Sequence, residues 1–439
     1  MILHEWEGGD CPFSGEALKR FDGYLQGVWE SRERYLDADE DAPEEKSGSQ
    51  RFFDFSYDGR IKARNYVGVV QFEGKRLEVK PKLFNGRTEP VNWKFQLLYW
   101  LSYCRRIRFP FSFANLSMQD MEDFLELLIF IFAHFTEELL CAQPYQAYQL
   151  VEEETVYLKG RLVFDAYTRN NLITGRWQHF TCQHQPFVFD NQFNRIVKYV
   201  SRRLLLVSRH SPNRAKLEDI LFLLDEVTDC SCVAGDCDRV QLNGLYADHQ
   251  HILSLCKMYL SNQMIDTSED ESSNFCFLVP MEYVFEDFVF GFLKAHFPKY
   301  DLRWQSQGHL ATRDGEPVFG IKNDIYMPGK LVMDTKYTFR PKDDKLQAGV
   351  GQSHMYQMLA YALRRQCDKV VLIYPYLRGA VTEQAVFQIG SELLKREVVI
   401  EAVTVDIIVP EMKMTEEVMR ERLRQALFAN TLNDPSFGS

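Results

Sequence analysis

The sequence lacks the apolar segments by which an exported or membrane protein is recognised. Glu5, Glu7 and Asp10 follow closely behind the initial methionine, so no signal-peptide pattern is present. The longest apolar run, at residues 124–135, contains Glu126 and is too short to span a bilayer. We therefore expect a cytoplasmic protein with no membrane partner, in which the 124–135 run forms a buried helix.

The chain also has no excess of basic residues. Its 51 Lys and Arg face 62 Asp and Glu, which gives a formal net charge of -11. Proteins that coat DNA through electrostatics alone carry Lys and Arg in excess, so the composition argues against that class. A nuclease is still allowed, because carboxylates that hold a metal are acidic and a partner subunit can supply the DNA affinity.

The cysteines do not follow the spacing of a metal site. Cys230, Cys232 and Cys237 have a C-x-C-x4-C spacing, which does not match the paired C-x2-C knuckles of structural zinc sites. Within residues 275–439 the cysteines are Cys276 and Cys367, too few for an iron–sulfur cluster. We expect ordinary thiols in a reducing compartment.

Length and local composition predict several domains. A chain of 439 residues exceeds one ordinary core, which favours two or three domains. Residues 37–50 and 266–274 are acidic and lack large apolar side chains, as is typical of a disordered loop and a domain linker. We predict a β-rich and helical N-terminal module at 1–150, a mixed helical middle region at 151–265 and a C-terminal domain at 275–439.

Hydrophobic periodicity predicts a mixed α/β (α+β) fold. The N-terminal module is predicted to contain a hairpin of 66–71 with 76–80 and helices at 93–104 and 121–141. The middle region is predicted to contain a strand at 158–164 and helices at 192–207 and 216–227. The C-terminal domain is predicted to contain helices at 282–297, 352–365 and 415–429 and strands at 317–327, 330–339, 369–374 and 398–408. The order of helices and strands in the C-terminal domain indicates an α/β sandwich with a mixed sheet.

Three residues of the C-terminal domain have the chemistry of a hydrolytic metal site. Asp334 and Lys336 are two positions apart on a predicted strand, so their side chains share one face. A Pro328-Gly329 turn allows the preceding strand to bring Asp324 alongside them. Two carboxylates on adjacent strands can bind Mg²⁺, and a lysine beside them can orient a water and stabilise a charged transition state.

The same charges could instead form an ordinary solvated strand face, since an Asp-Thr-Lys triplet is common. However, Asp334 lies between the apolar runs 331–333 and 337–339, in a strand that looks buried. An unpaired charge is costly in such a strand, so a partner or a metal is the favoured interpretation.

The spacing of these residues resembles a nuclease motif. Asp324, nine intervening residues and then Asp334-Thr335-Lys336 resemble the PD-(D/E)xK motif, with Asn323 in place of the proline before the first Asp. That superfamily folds as an α/β sandwich with a mixed sheet, so the resemblance implies this nuclease fold for the C-terminal domain.

Two further elements of the superfamily have counterparts here. The sequence VFEDFVFGFL offers Glu286, which corresponds to the acidic residue on the first core helix. Gln357 and Tyr361 resemble the Gln-x-x-x-Tyr element that follows the lysine strand. The resemblance implies Asp324, Asp334 and Glu286 as metal ligands, with Mg²⁺ as the cofactor and Mn²⁺ as a possible substitute. The implied catalytic set is Asp324, Asp334, Lys336, Glu286 and Gln357.

Motifs outside this domain resemble the McrC family, the nuclease subunits of McrBC restriction systems. VGVV at 67–70 and LEVKPK at 77–82 are similar to the N-terminal motif of the family. LKGR at 158–161, FD at 189–190 and NR at 194–195 are similar to its middle motifs. Together with the FEDFV and YQMLAYA helices, these motifs extend the resemblance over residues 66–375.

The McrC resemblance implies a division of labour in a bacterial, modification-dependent (type IV) anti-phage defence system. McrC-like proteins associate with McrB, an AAA+ GTPase hexamer that reads modified DNA, while McrC stimulates GTP hydrolysis and cuts. In agreement, this sequence has no G-x-x-x-x-G-K-[ST] nucleotide loop. The implied partners are a McrB-like AAA+ GTPase hexamer and modified double-stranded DNA. The N-terminal module would contact the motor, and its basic candidates are Lys80, Lys82 and the group Arg105, Arg106 and Arg108. These residues could equally be ordinary surface charge.

Two alternatives remain open on the sequence. The chain could be a non-cleaving regulatory subunit whose nuclease-like fold is a scaffold for an AAA+ ring, although the intact Asp324, Asp334 and Lys336 disfavour this. It could also be a stand-alone DNA repair nuclease, which would cut without a partner. The acidic charge balance speaks mildly against that reading.

Overall fold

The computed structural model describes residues 1–31, 50–87, 91–105, 123–242, 244–260, 274–343, 346–391, 396–409 and 415–428. Apart from Gln50 and Asn274, the predicted acidic loop at 37–50 and linker at 266–274 lie outside these ranges. The chain forms two compact units, one of Met1–Gln119 with Cys276–Ser439 and one of Asp120–Phe275. The domain boundaries proposed from the sequence, at 1–150, 151–265 and 275–439, stay a prediction.

The N-terminal part of the first unit consists of short strands and two helices. Its elements are β1 (Ile2–His4), β2 (Gly8–Asp10), α1 (Gly15–Ser31), β3 (Phe53–Phe55), β4 (Arg60–Ala63), β5 (Tyr66–Phe72), β6 (Lys75–Lys80) and α2 (Trp93–Tyr103). The predicted hairpin is confirmed, because β5 and β6 pair antiparallel with Val70 opposite Leu77. β1 adds to β6 in parallel, and β2, β3 and β4 form a separate small sheet. Apolar side chains of α1 and these strands form one core, which includes Phe21, Phe53 and Phe72.

The second unit is mainly helical. Its elements are α3 (Phe124–Ala142), β7 (Ala147–Tyr148), β8 (Val151–Thr155), β9 (Arg161–Leu162), α4 (Phe164–Tyr167), β10 (Phe180–His184), β11 (Phe187–Val188), α5 (Gln192–Val207), α6 (Ser211–Leu223), α7 (Ala234–Cys237) and α8 (Ala247–Leu260). The buried helix expected at 124–135 is confirmed, and the Asp123 side chain caps its first turn. The strand predicted at 158–164 is wrong for most of its length. Only Arg161–Leu162 is extended, because Phe164 already begins α4.

The C-terminal part of the first unit contains the predicted mixed sheet. Its elements are β12 (Phe275–Pro280), α9 (Met281–His296), β13 (Arg303–Arg313), β14 (Glu316–Met327), β15 (Leu331–Thr335), α10 (Gln352–Arg365), β16 (Lys369–Pro375), β17 (Ala385–Ser391), β18 (Arg396–Val405) and α11 (Thr415–Phe428). The sheet has the order β13-β14-β15-β16-β18-β17. β15, β16 and β18 are parallel, and the other neighbours are antiparallel. The α/β class with a mixed C-terminal sheet is therefore confirmed.

Burial explains why the sequence revealed β16 and did not reveal β13. β16 lies in the middle of the sheet and is apolar on both faces, as expected for a parallel strand covered on both sides. The strands β12, β13 and β17 were missed, and β12 was missed although it is fully buried. β13 is largely exposed and polar, so it carries neither an apolar run nor a regular alternation. The strand expected at 330–339 ends at Thr335.

Two glycines permit close approaches inside the first unit. β12 pairs with β5, so that one sheet of order β1-β6-β5-β12 contains strands from both ends of the sequence. At Gly68, which has φ 142°, a Cβ would lie 2.0 Å from the Phe277 carbonyl oxygen of β12. At Gly291 of α9, a Cβ would lie 2.1 Å from the Tyr103 carbonyl oxygen at the end of α2. Any larger residue would force these elements apart.

Among the described residues, no helix combines the length and the apolar character that crossing a membrane requires.

Candidate active site

The β14–β15 hairpin places two carboxylates opposite each other. Ile325 of β14 pairs with Met333 of β15. The same antiparallel register, continued by one position, puts Asp324 across from Asp334. Directly opposed residues of an antiparallel pair project from the same face of the sheet. The two acidic residues that the sequence analysis singled out are therefore neighbours.

Lys336 extends from β15 onto the same carboxylates. Its Nζ lies 2.6 Å from Asp334 Oδ2, and the Asp334 side chain is 2% exposed while that of Lys336 is 20% exposed. The backbone N–H of Lys336 donates to the Ile373 carbonyl at 2.8 Å, which keeps the chain extended beyond Thr335. At this distance the ion pair is also a charge-assisted hydrogen bond, in which the Lys336 ammonium donates to the carboxylate. The buried Asp334 carboxylate therefore has a charged partner in Lys336.

Asp324 is oriented by the residue between the other two. Its Oδ2 accepts hydrogen bonds from the backbone N–H of Thr335 at 2.7 Å and from Thr335 Oγ1 at 2.6 Å. Because both donors hold the same oxygen, the carboxylate cannot rotate without losing two bonds. Each member of the motif Asp-Thr-Lys therefore makes a contact within this group. The threonine positions the acid of the neighbouring strand.

The electrostatics of the site favour an additional positive charge. Burial raises the pKa of Asp334 to about 7, the nearby charge of Asp324 adds to the rise, and Lys336 opposes it. Burial likewise raises the pKa of Asp324 above its usual range, against its bonds to Thr335. Burial alone would lower the pKa of Lys336, but the charges of Asp334, Asp324 and Glu286 outweigh it and raise that pKa. One lysine does not fully compensate the two buried acids.

Glu286 lies beside this group and not within it. It is half-buried on α9, and its Oε1 accepts a hydrogen bond from Gln305 Nε2 at 2.9 Å. Its charge raises the pKa of Lys336, so it is near the lysine end of the site. Within the described part of the chain, no three His, Cys, Asp or Glu side chains gather closely enough to form a metal site. The structure thus brings Asp324, Asp334 and Lys336 together and leaves Glu286 at their side.

Gln357 is connected to the strand of Asp324 through Tyr361. Its Nε2 donates to Tyr361 Oη at 2.8 Å, and Tyr361 Oη donates to the Lys322 carbonyl at 2.6 Å. Lys322 is two residues before Asp324 on β14. The Gln-x-x-x-Tyr element on α10 therefore supports the backbone of the strand that carries the first acid.

Four other residues near the site had no assigned part in the sequence analysis. Asn323 is fully buried, and its Oδ1 accepts a hydrogen bond from Arg365 Nε at 3.0 Å, which ties α10 to β14 next to Asp324. His354 Nδ1 lies 3.0 Å from Tyr374 Oη. Burial lowers the pKa of His354, and the charge of Lys336 lowers it further. In the sequence, the signal for placing His354 near the site was its three-residue spacing from Gln357 on α10.

The residues present suit a divalent cation. Mg²⁺ binds carboxylate oxygens and often uses only one or two protein carboxylates, with waters and substrate phosphates completing its shell. Asp324 and Asp334 provide such a pair. Burial raises both of their pKa values, because it disfavours their negative charges, and a bound cation would stabilise those charges. The Asp334 carboxylate is buried beside Lys336 and could ligate such a cation together with Asp324.

The cysteines of the C-x-C-x4-C segment and the arginines of α5 have ordinary local contacts. The Cys230 and Cys232 thiols lie 3.5 Å apart and are both free. On α5, Arg195 pairs with Asp190 at 2.7 Å and Arg202 with Asp229 at 2.9 Å, so these charges are locally neutralised. Of the basic residues considered for motor contact, Lys82 faces inward, with its Nζ bonded to the Tyr337 carbonyl.

Comparison with solved structures shows the same fold in proteins of low identity. A chain of the refined half-complex from the tetradecameric assembly of Thermococcus gammatolerans McrB AAA+ hexamers with bound McrC is 18% identical, with a TM-score of 0.70. The match covers 97% of this chain and 99% of that chain. A chain of the Thermococcus gammatolerans McrBC complex is 20% identical with a TM-score of 0.51, over 69% of this chain and 89% of that chain. No curated protein matches the sequence.

Comparison with protein families gives a match over most of the length. The model described as a McrBC 5-methylcytosine restriction system component matches residues 61–375. This range contains the N-terminal hairpin, the second unit and the candidate site, and it agrees with the range over which the motifs resemble McrC. The chain therefore belongs to the family of McrBC 5-methylcytosine restriction system components, as its motifs had indicated.

Proposed function

We propose that this chain is the DNA-cleaving subunit of an McrBC-type restriction system in anti-phage defence, with Asp324, Asp334 and Lys336 as its hydrolytic centre. The observation that carries the proposal is the ion pair of Lys336 with Asp334 at 2.6 Å, across from Asp324 on the adjoining strand. Hydrolysis of a phosphodiester needs acidic ligands and a cationic group on one face of a rigid element, and the β14–β15 pair supplies both.

The cofactor in this proposal is Mg²⁺, for which Mn²⁺ can substitute. Asp324 and Asp334 would hold it, and Glu286 would assist from α9. When bound, such an ion lowers the pKa of a water and neutralises the charge that develops on the phosphate. Thr335 keeps the Asp324 carboxylate oriented through two hydrogen bonds of 2.7 and 2.6 Å. The carboxylate therefore does not need to reorient before a ligand binds.

Lys336 would contribute the fixed positive charge. Its pKa is raised, so its ammonium stays protonated at neutral pH. In that state it cannot accept a proton, but it can orient an attacking water and stabilise the pentavalent transition state electrostatically. Gln357 would act through Tyr361, which holds β14 next to Asp324.

A McrB-like AAA+ GTPase hexamer is the proposed partner, with modified double-stranded DNA as the substrate. The family assignment and the lack of a nucleotide-binding loop support this, as does the net charge of -11, which leaves DNA capture to another subunit. The second unit also has many exposed large apolar side chains between positions 148 and 187. They include Tyr148, Leu150, Leu158, Phe164, Ile173, Trp177 and Phe187. Tyr148 and Phe187 lie with their ring centroids 4.9 Å apart. Exposed apolar side chains that adjoin one another can mark a protein contact, and we assign these residues to contact with the hexamer.

Plasmid cleavage in Mg²⁺ tests the proposal. Wild type, Asp334→Asn and the control Asp314→Asn would be compared on 5-methylcytosine-containing and unmodified plasmid, with and without the AAA+ partner and GTP. Asp314 is exposed in the β13–β14 turn at φ 54°, a conformation that Asn tolerates, so the control keeps the fold. We expect cleavage that needs the partner, persists in the control and is lost in Asp334→Asn.

Other outcomes of the same experiment select the alternatives. GTPase stimulation without cleavage by any combination would indicate a regulatory scaffold. Cleavage by the chain alone, independent of partner and of modification, would indicate a stand-alone nuclease. Cleavage that is undiminished in Asp334→Asn would reject the proposed centre.

A further inference from the structure

A buried polar cluster joins the N-terminal strands to the segment after Lys336. Tyr337 Oη donates to Glu5 Oε2 at 2.7 Å, and the backbone N–H of Lys82 donates to the same oxygen at 2.9 Å. Lys82 Nζ donates to the Tyr337 carbonyl at 2.9 Å and lies 4.0 Å from the centroid of the Tyr337 ring. We call these three residues the Glu5–Lys82–Tyr337 cluster.

The cluster is costly to bury, which argues that it does more than fill space. Glu5 is 2% exposed and Tyr337 is 6% exposed. Burial raises the pKa of Glu5 to about 7, although Lys82 and Tyr337 both oppose the rise. Glu5 Oε1 has no hydrogen-bond partner among the described residues. Apolar side chains would fill this volume without such a penalty, whereas a hydrogen-bonded polar cluster specifies one geometry.

The position of the cluster identifies what that geometry controls. β15 ends at Thr335, so Lys336 lies just beyond the regular strand. Its backbone is held on one side by the Ile373 carbonyl at 2.8 Å. On the other side the next residue, Tyr337, is held at its hydroxyl by Glu5 and at its carbonyl by Lys82. The ring of Tyr337 also packs against Phe285 of α9 at a centroid distance of 5.9 Å.

We propose that Glu5, Lys82 and Tyr337 are positioning residues for Lys336. The cluster fixes the backbone that carries Lys336, so that its ammonium reaches Asp334 and does not swing into solvent. Lys82 therefore supports the cleavage site, whereas the sequence had suggested that it contacts the motor. The proposed function supplies one part of the argument, namely that Lys336 takes part in cleavage.

The first readout is the reactivity of Lys336, which does not depend on cleavage. The full-length protein would be treated with N-hydroxysuccinimidyl acetate at neutral pH, and acetylation of each lysine followed over time by peptide mass spectrometry. The ion pair with Asp334 should keep Lys336 slow to react. In Tyr337→Phe, which removes only the hydroxyl, we expect Lys336 to react several-fold faster. Asp334→Ala serves as the positive control for a released lysine.

Two comparisons separate positioning from general stability. Tyr103→Phe is the matched control, because the Tyr103 hydroxyl donates to the Glu416 carboxylate at 3.3 Å in the same unit and outside the site. Glu5→Gln keeps an acceptor oxygen for Tyr337 and Lys82, whereas Glu5→Ala removes it. We expect Glu5→Gln to behave like wild type, and Glu5→Ala and Lys82→Met to behave like Tyr337→Phe. Melting temperatures of all variants would be recorded.

Cleavage kinetics in the complete complex supply the second readout. We expect Tyr337→Phe to lower kcat by about tenfold, the size of effect of one hydrogen bond to a charged group, with KM for DNA unchanged. Unchanged Lys336 reactivity in folded Tyr337→Phe, Glu5→Ala and Lys82→Met would overturn the positioning role. If the wild type did not cleave DNA, the proposed function would fail, and the acetylation rates would still decide whether the cluster holds Lys336.

Discussion

Lys336 and Asp334 form an ion pair of 2.6 Å at the end of a buried strand, with a second carboxylate facing them from the adjoining strand. The pair is not arranged for stability alone. Two acids with raised pKa values share one lysine, so part of the negative charge is poorly compensated. Sites that hold uncompensated charge of this kind commonly bind an ion or a substrate, at some cost to the stability of the free protein.

Asp334→Asn is therefore expected to abolish cleavage and to raise stability. The substitution removes the repulsion between the two carboxylates and the burial of one charge, so the free energy of unfolding at pH 8 should increase relative to wild type. The rate of DNA cleavage should fall by about 100-fold or more, as for the loss of a group that stabilises charge in the transition state. Urea unfolding and plasmid cleavage measure the two effects, and a variant that is less stable than wild type would contradict this account.

The pH dependence of unfolding gives an independent check. The pKa of Asp334 is raised from 3.8 to about 7 in the folded protein. The folded state thus binds the proton more tightly, and the associated stability is present below about pH 4 and lost as pH rises towards about 7. For metal-free protein, the slope from this group is at most about 1.4 kcal/mol per pH unit. We expect the stability advantage of Asp334→Asn to grow from pH 4 to 7. A constant difference over that range would show that Asp334 is ionised throughout.

Tyr361→Phe should weaken cleavage without unfolding the protein. The hydroxyl links Gln357 on α10 to the Lys322 carbonyl on β14, with hydrogen bonds of 2.8 and 2.6 Å. Its loss removes about 1 kcal/mol of net stabilisation and loosens the strand beside Asp324. We expect kcat to fall several-fold and the melting temperature to change by only a few degrees. A fall in DNA affinity with unchanged kcat would instead place the Gln-x-x-x-Tyr element in substrate binding.

Trp177→Ser should separate partner binding from the cleavage site. Trp177 is 67% exposed in the second unit, so its removal costs little in folding. If the exposed apolar surface meets the AAA+ hexamer, the variant should lose stimulation of the partner's GTPase. Phe222→Ser is the matched control, since Phe222 is an aromatic of the second unit that is 80% exposed and lies outside positions 148–187. Equal losses in both variants, or in neither, would argue against this surface.

Gly68→Ala tests the sheet that combines strands from both ends of the sequence. The added Cβ would lie 2.0 Å from the Phe277 carbonyl oxygen. Because the clash is with backbone, relief requires β5 and β12 to separate, and we expect a loss of roughly 3 kcal/mol or more in stability. Gly59→Ala is the control, since Gly59 also has a positive φ but has no atom within 4 Å of an added Cβ. Similar melting temperatures for the two variants would contradict the β5–β12 contact.

Local patterns in the sequence already determined much of this protein. The two-residue period of a strand predicted that Asp334 and Lys336 share one face. The continuous apolar run of β16 required a central strand, and the order of short motifs indicated the family. These features depend on residues that are near one another in sequence, so reading the sequence was sufficient for them.

Only the tertiary structure decided how distant segments meet. No local pattern showed that β12 would pair with β5, or that Glu5 and Lys82 would hold Tyr337 beside Lys336. β13 was invisible because a largely exposed strand carries no apolar signal. Glu286, expected among the ligands, bonds to Gln305 beside the site. The partner of a buried polar group is set by which surfaces pack together across hundreds of residues, and this information is not contained in the spacing of neighbours along the chain.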